Sequence, residues 1–248
     1  MRFADKVAIV TGGGQGIGET YAKSLAEQGA RVVVADLNTE QAARVAKEIE
    51  SAGGAALAVR VDVSDPESAL AMGAAAEEAF GGVDYLVNNA AIYGGMQIES
   101  LLKVDLDYYQ KFMAVNMNGA LHCTRAVYRS MRRRGGGVVV NQSSTAAWMA
   151  GGFYSIAKAA INSLTVNLAA EMGWMNIRVN AIAPGPTDTA ATRSVVGDMV
   201  DPLVNELIIK RIGTPQDHVG ALHFLLSDEA SWVTAQILAV DGGHIVRL

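Results

Sequence analysis

"KVAIVTGGGQGIGETYAKSLAEQG", residues 6–29, decides the fold. It opens on a continuous apolar run, "KVAIV" at 6–10, and enters a turn, "TGGGQGIG" at 11–18, that holds five glycines. An amphipathic stretch follows, "GETYAKSLAEQG" at 18–29, ending at Gly29 as a helix does. A glycine turn between strand and helix has a physical use. Backbone N–H groups at a helix N-terminus, unobstructed by side chains and aided by the helix dipole, attract a diphosphate. Gly12, Gly16 and Gly18 are the positions where that need is sharpest, with Gln15 and Ile17 between them.

Working outward, short apolar runs recur: "RVVVAD" (31–36), "ALAVRVDV" (56–63), "VDYLVNN" (83–89), "GVVVNQS" (137–143), "IRVNAIA" (177–183) and "ILAVDGG" (237–243). Helical stretches separate them. The runs are continuously apolar, as strands are when helices cover both faces of a parallel sheet. The pattern predicts an open, doubly wound α/β sheet of about seven strands with right-handed crossovers. No linker or internal repeat divides residues 1–248, so one domain is expected. Residues 186–215 break the rhythm and carry Pro186, Pro202 and Pro215. They follow a strand's carboxyl end, where such folds bind ligands, so a substrate lid is expected around 186–212.

The net charge of −5 favours neither nucleic acid nor an anionic membrane. The one basic cluster, Arg132-Arg133-Arg134, precedes three glycines, as cations closing a helix C-terminus do. Cys123 is the only cysteine, which excludes an intrachain disulfide and fits a reducing compartment. With no signal-peptide pattern and no apolar run of membrane-spanning length, the expected setting is cytoplasmic. His122, His218, His223 and His244 lack ligand spacing; they read as helical or surface histidines, and no metal site is expected.

The second strand ends in Asp36, eighteen residues past Gly18. A carboxylate there accepts hydrogen bonds from adenosine ribose hydroxyls and repels a 2′-phosphate. Leu37 and Asn38 follow, with no arginine or lysine. The cations near the turn are Lys6 and Lys23, expected on other faces. NAD is therefore favoured over NADP. Further along, "FYSIAK" (153–158) places Tyr154 and Lys158 four apart, on one helix face. A phenol titrates near ~10, and bringing it to about 7 requires about 4 kcal/mol. One ammonium at ~4 Å and an effective dielectric of ~20 supplies about that much.

Together, "TGGGQGIG", Asp36, Asp62-Val63, "NNAA" (88–91), Asn116, Ser144, Tyr154 with Lys158, and "PGPTDT" (184–189) resemble the short-chain dehydrogenase/reductase family over the whole chain. The resemblance implies a Rossmann-type fold and reversible hydride transfer between NAD(H) and a secondary alcohol/ketone pair. It implies Tyr154 as general acid/base and Ser144 as the serine on the substrate oxygen. Ser144 precedes Tyr154 by only ten residues, closer than is usual in the family, so Ser143 stays open as the alternative. Asn116, within "FMAVNMNGALHCT", would perturb a long helix and hold a water leading from Lys158 to solvent; Asn118 competes for that role. Asp62 and Val63 would flank the adenine, while Asn88, Asn89 and Ala90 line the cofactor. Pro184, Gly185, Thr187 and Thr189 would meet the nicotinamide. Ala91 stands where the family commonly has glycine.

The expected substrate walls are 91–97, 146–153 and the lid. Trp148, Met149, Phe153, Met199 and Leu203 suggest an apolar alcohol or ketone, and Arg193 is the one arginine placed to meet a carboxylate. Two competing readings remain: an inactive NAD-sensing protein, disfavoured by the presence of both Tyr154 and Lys158, and a reductase of activated C=C bonds, whose relatives space that pair further apart. The resemblance also implies a homotetramer packed through helices in 105–131 and 154–172, with "DGGHIVRL" at a second interface.

Overall fold

The computed structural model describes residues 1–196 and 200–246. Its strands are β1 (Val7–Thr11), β2 (Arg31–Asp36), β3 (Ala55–Arg60), β4 (Tyr85–Asn88), β5 (Gly137–Gln142), β6 (Ile177–Pro184) and β7 (Ile237–Val240). They form one parallel sheet in the order β3-β2-β1-β4-β5-β6-β7. The chain winds outward from β1 to β3, then restarts at β4 on the other side of β1. Val10 thus lies between Val34 and Val87 in register. The crevice at that reversal, beyond the strands' carboxyl ends, is where ligands bind in open α/β sheets.

Strand side chains alternate between two cores, which is why the runs are apolar throughout. Ala8, Val10, Val32 and Val34 pack with Tyr21, Leu25, Val45, Ile49 and Leu222. Those come from α1 (Gly16–Glu27), α2 (Thr39–Ser51) and α9 (Val219–Leu226). Ile9, Val33, Leu86 and Val139 pack on the opposite face with Met72, Cys123, Val127, Met131 and Leu168. These come from α3 (Pro66–Phe80), α5 (Gly119–Arg133) and α6 (Gly152–Met172). The doubly wound architecture expected from the sequence is the observed one.

Several boundaries differ from the sequence reading. β3 stops at Arg60 because the Asp62 N–H turns to Ser68 Oγ at 2.9 Å. β7 stops at Val240, where Asp241 accepts from the Gly243 and Ile245 N–H groups. The long helix expected around Asn116 is α4 (Leu106–Met113), a π-helical turn over Ala114–Asn118, and then α5. Asn116 accounts for the turn: its Oδ1 accepts from Ile92 N (2.6 Å) and its Nδ2 donates to Ile92 O (3.0 Å). One asparagine thereby ties the helix to the loop after β4. The arginine cluster closes α5 as expected, and Arg134 also grips the Asp84 carboxylate with two hydrogen bonds of 3.0 Å. Over 186–212 lie α7 (Ala190–Val196) and α8 (Val200–Glu206). Among the described residues no helix is long and apolar enough to cross a membrane.

Candidate active site

A cleft of about 840 Å³ opens at the carboxyl ends of the strands. One wall is made largely of backbone. Gly12 has φ +62°, and a Cβ there would stand 2.9 Å from the Ala90 Cα. A Cβ on Gly18 would stand 2.0 Å from the Gly12 carbonyl oxygen. Asn89 fastens the turn from β4, donating from Nδ2 to Thr11 O (3.0 Å) and Gly12 O (3.1 Å). Gln15, at the head of α1, makes no side-chain cap, so the helix presents its first N–H groups to the cleft. Asp36 lies beside the turn; its Oδ2 accepts from Gly14 N and its Oδ1 from Asn38 N, both at 2.9 Å. Leu37, Asp62 and Val63 line the same end, and the Ser64 hydroxyl holds the Asp62 carboxyl below its usual range. Across the cleft lie Pro184, Gly185, Thr187 and Thr189. A cradle free of side chains, an open helix N-terminus and a carboxylate one strand away fit a dinucleotide.

The other wall is made of side chains. α6 sets Tyr154 and Lys158 one turn apart, with Lys158 Nζ 5.8 Å from the Tyr154 ring centroid. Lys158 is 4% exposed and donates to Gln142 O at 2.9 Å. Ser144, at the head of a 3₁₀ turn over Thr145–Trp148, accepts from Ala146 N at 3.1 Å, and its hydroxyl stands close enough to the Tyr154 phenol to favour its ionisation. Ser143 is turned instead into α6, donating to Asn162 Oδ1 at 2.6 Å. The brief turn between β5 and α6 accounts for the ten-residue spacing. Burial pushes the Tyr154 phenol well above its ordinary range and brings Lys158 down to about 8. That corrects the expectation that the lysine alone would bring the phenol near neutrality. Its ammonium is directed at the Gln142 carbonyl, and the loss of water around each group sets the direction of both shifts.

Gly12, Gln15, Gly16, Ile17, Asn89, Ala90, Ser144, Tyr154 and Lys158 all line the cleft. Gly18 and Asn116 do not. Gly18 acts by letting α1 pack against the turn. Asn116 lines a smaller cavity of about 10 Å³ behind Lys158, shared with Asn88 and Gln142. Met149 and Leu203 line the substrate side, whereas Trp148 lies outside the lining. Phe153 is core, its ring 4.8 Å from that of Phe112. Met199 falls outside the described residues. Arg193 pairs with Asp188 at 2.9 Å.

Four residues have places more definite than, or different from, the sequence reading, in which Tyr93 fell only within the expected wall 91–97. Tyr93 stands with its ring 5.3 Å from Tyr154 and its hydroxyl near Thr192 on α7. His218 is buried, with Nε2 2.9 Å from Thr187 Oγ1, and burial lowers it to about 4. His244 lines the cleft with Nδ1 3.2 Å from Thr145 Oγ1. His218 closes a 3₁₀ turn over Pro215–His218, helical as expected but buried, whereas His244 is neither helical nor on the surface. Arg44, on α2, donates to Gly14 O at 2.9 Å, so a cation does reach the glycine turn. Beyond Tyr93, only Arg44 had a signal available: a helix following Asp36 must pack beside that turn. Among the described residues no cluster of three or more His, Cys, Asp or Glu could hold a metal ion.

This geometry has close counterparts. An uncharacterised oxidoreductase of Mycobacterium tuberculosis is 60% identical over 246 residues, covering 99% of both chains. The 7α-hydroxysteroid dehydrogenase of Escherichia coli is 38% identical over 252 residues, covering 100% of this chain and 97% of that one. A solved 7α-hydroxysteroid dehydrogenase complexed with NADH and 7-oxo glycochenodeoxycholic acid superposes with a TM-score of 0.93 at 37% identity, covering 100% and 97%. A family model described as enoyl-(acyl carrier protein) reductase matches residues 12–244. With the glycine cradle, the Tyr154/Lys158 face and likeness along the whole chain in agreement, this protein belongs to the short-chain dehydrogenase/reductase family of oxidoreductases.

Proposed function

We propose that the chain is an NAD(H)-dependent oxidoreductase that interconverts a secondary alcohol and a ketone, with Tyr154 as general acid/base. The observation that carries this reading is the Ser144–Tyr154 hydroxyl pair facing the glycine cradle, with Lys158 one turn below. When bound, the nicotinamide supplies the hydride donor or acceptor and, oxidised, a positive charge. Tyr154, kept protonated by burial, is ready to donate its proton to a ketone oxygen, and Ser144 to orient that oxygen. In the reverse direction Tyr154 must give up its proton, which nearby positive charge favours. Lys158 supplies such charge below about pH 8. Behind Lys158, the cavity shared with Asn116 has room for about one water, and Asn88 Oδ1 and Gln142 Nε2 are buried there without partners. A proton route to solvent through that water fits.

Asp36, with Leu37 after it, supports NAD over NADP. The four-residue Tyr/Lys spacing and the hydroxysteroid dehydrogenases among the relatives support alcohol/ketone chemistry over the C=C reduction named in the family model's description. Ile92, Tyr93, Met96, Met149 and Leu203 make the substrate side apolar and suit an alicyclic ketone. The reading carries with it a cytoplasmic homotetramer, to which Ile156 and Val166, exposed on α6, offer apolar surface. The test is Tyr154→Phe: turnover of a ketone panel with NADH falls about 10²–10⁴-fold, while the NADH dissociation constant stays within about twofold. Full activity in that variant would overturn the acid/base assignment.

A further inference from the structure

Five hydrogen bonds converge on one side chain beside the glycine turn. Arg44 donates from Nε to Gln41 Oε1 (2.9 Å), and from Nη1 to Glu19 Oε1 (3.0 Å) and Glu48 Oε1 (2.9 Å). From Nη2 it donates to Glu19 Oε2 (2.7 Å) and to the Gly14 carbonyl (2.9 Å). All five of its N–H donors are therefore engaged. Gly14 is also the residue whose N–H binds Asp36 Oδ2. The guanidinium thus ends one peptide unit from the carboxylate assigned to the ribose, and 40% of its side chain is exposed. A Cβ on Gly14 would meet both Asp36 Oδ2 and Gln41 Cβ at 2.9 Å, so strand end, turn and α2 close tightly here.

We infer that Arg44 is a specificity-determining residue of the cofactor site: a cation beside the ribose 2′ position that Glu19 and Glu48 withhold from a 2′-phosphate. The inference rests on the NAD reading above. The charges support it. Arg44 and Lys23 face Glu19, Glu48 and Asp36, and Lys23 is itself paired with Glu19 (2.5 Å) and Glu48 (2.6 Å). One net negative charge surrounds Gly14. The hydrogen bond from Arg44 is also the largest influence holding Glu19 in its ionised form. A 2′-phosphate arriving here meets an arginine with no free donor inside a field of the wrong sign. Discrimination against NADP therefore has two layers: the Asp36 carboxylate, and a pair of carboxylates that keep an arginine occupied.

Glu19→Gln/Glu48→Gln tests this, because it keeps side-chain size while removing both countercharges. Dissociation constants for NAD and NADP are measured by titration calorimetry on wild type, on this variant, and on the variant carrying Arg44→Met as well. The NADP-to-NAD ratio is expected to fall about tenfold, equivalent to about 1.4 kcal/mol, and to return toward wild type once Arg44 is also removed. The gain should shrink at high salt. Glu48→Gln alone, at a half-exposed side chain, is expected to move the ratio about threefold in the same direction and covers a double variant that fails to fold. An unmoved ratio with NAD still bound overturns the inference and leaves the NAD reading standing. A gain that survives Arg44→Met overturns it too, since charge removal alone would then suffice. Wild type that binds neither nucleotide, or prefers NADP, overturns the NAD reading itself.

Discussion

The two walls of the cleft are built on opposite principles. The wall formed by β1, β2 and the end of β4 works through missing atoms: at Gly12 and Gly18 a single added carbon would collide with backbone. Its polar side chains brace the turn, with Asn89, Thr11 and Asp36 each holding part of it, while the first N–H groups of α1 stay open. The wall formed by α6, the segment after β5 and the loop after β4 works through side chains, and it holds polar groups at an energetic disadvantage. Lys158 is buried with its basicity reduced, and Tyr154 is buried with its acidity reduced. One wall is a rigid mould; the other stores unfavourable solvation where proton transfer is proposed.

The largest effect is expected in the mould. Gly18→Ala places a methyl 2.0 Å from the Gly12 carbonyl oxygen, an atom that cannot swing aside as a flexible side chain would. Destabilisation of at least about 3 kcal/mol is expected, together with loss of nicotinamide binding, read by thermal unfolding and by titration. Gly173→Ala is the control: nothing lies within 4 Å of an added Cβ there, and φ is −59°. It should stay within about 0.5 kcal/mol of wild type. Equal effects at the two positions would mean that glycine content, and not the fitted turn, matters.

On the other wall, removing a functional group should stabilise the protein. Lys158 titrates at about 8, against 10.5 for an ordinary lysine. Below pH 8 it is protonated both folded and unfolded, and the folded state bears the full desolvation penalty. Between pH 8 and 10.5 only the unfolded chain keeps that proton, so stability rises with pH across this window and then levels. The penalty below pH 8 is about 3 kcal/mol, offset in Lys158→Met by about 1–2 kcal/mol for the Gln142 carbonyl left unpaired. The variant is thus expected to be more stable than wild type by about 1–2 kcal/mol at pH 7 while losing turnover, and to lose that advantage by pH 10. Urea unfolding at the two pH values decides it. A variant less stable than wild type at pH 7 would place Lys158 with the rigid mould.

The contrast also explains what the sequence disclosed. Most of the mould is contiguous: strand, glycine turn, helix and Asp36 fall within thirty positions, 7–36, with only the end of β4 brought in from further along. Tyr154 and Lys158 were legible for the same cause, since helical spacing alone puts them on one face. What escaped depends on packing between distant segments. Arg44 reaches Gly14 only because α2 docks beside the turn. His244 reaches the cleft from a loop whose course no periodicity encodes, whereas Tyr93 lies in the stretch 91–97 already expected there. Phe153, adjacent to Tyr154, was expected in the substrate wall; helical geometry turns it toward Phe112 instead. The direction of the Tyr154 shift escaped as well. Spacing supplies the ammonium, but burial, which depends on the whole fold, decides which influence is larger.

Tyr93 should give the smallest effect, and it tests where the catalytic wall ends. Its ring faces Tyr154, while its hydroxyl lies near that of Thr192, whose own Oγ1 lies 3.0 Å from Thr189 Oγ1. A chain of three hydroxyls thus joins the ring beside Tyr154 to α7 and to the segment proposed to meet the nicotinamide. Tyr93→Phe keeps the ring and removes only the link to α7, a loss of about 1 kcal/mol. If the link serves to hold α7 over the substrate, KM for an apolar ketone rises about fivefold at that energy, with kcat little changed. Tyr93→Ala, which also removes the ring, should raise KM further. A fall in kcat as large as the rise in KM would assign the Tyr93 hydroxyl to proton handling with Tyr154, and the boundary between the working side chains and their support would then lie at α7.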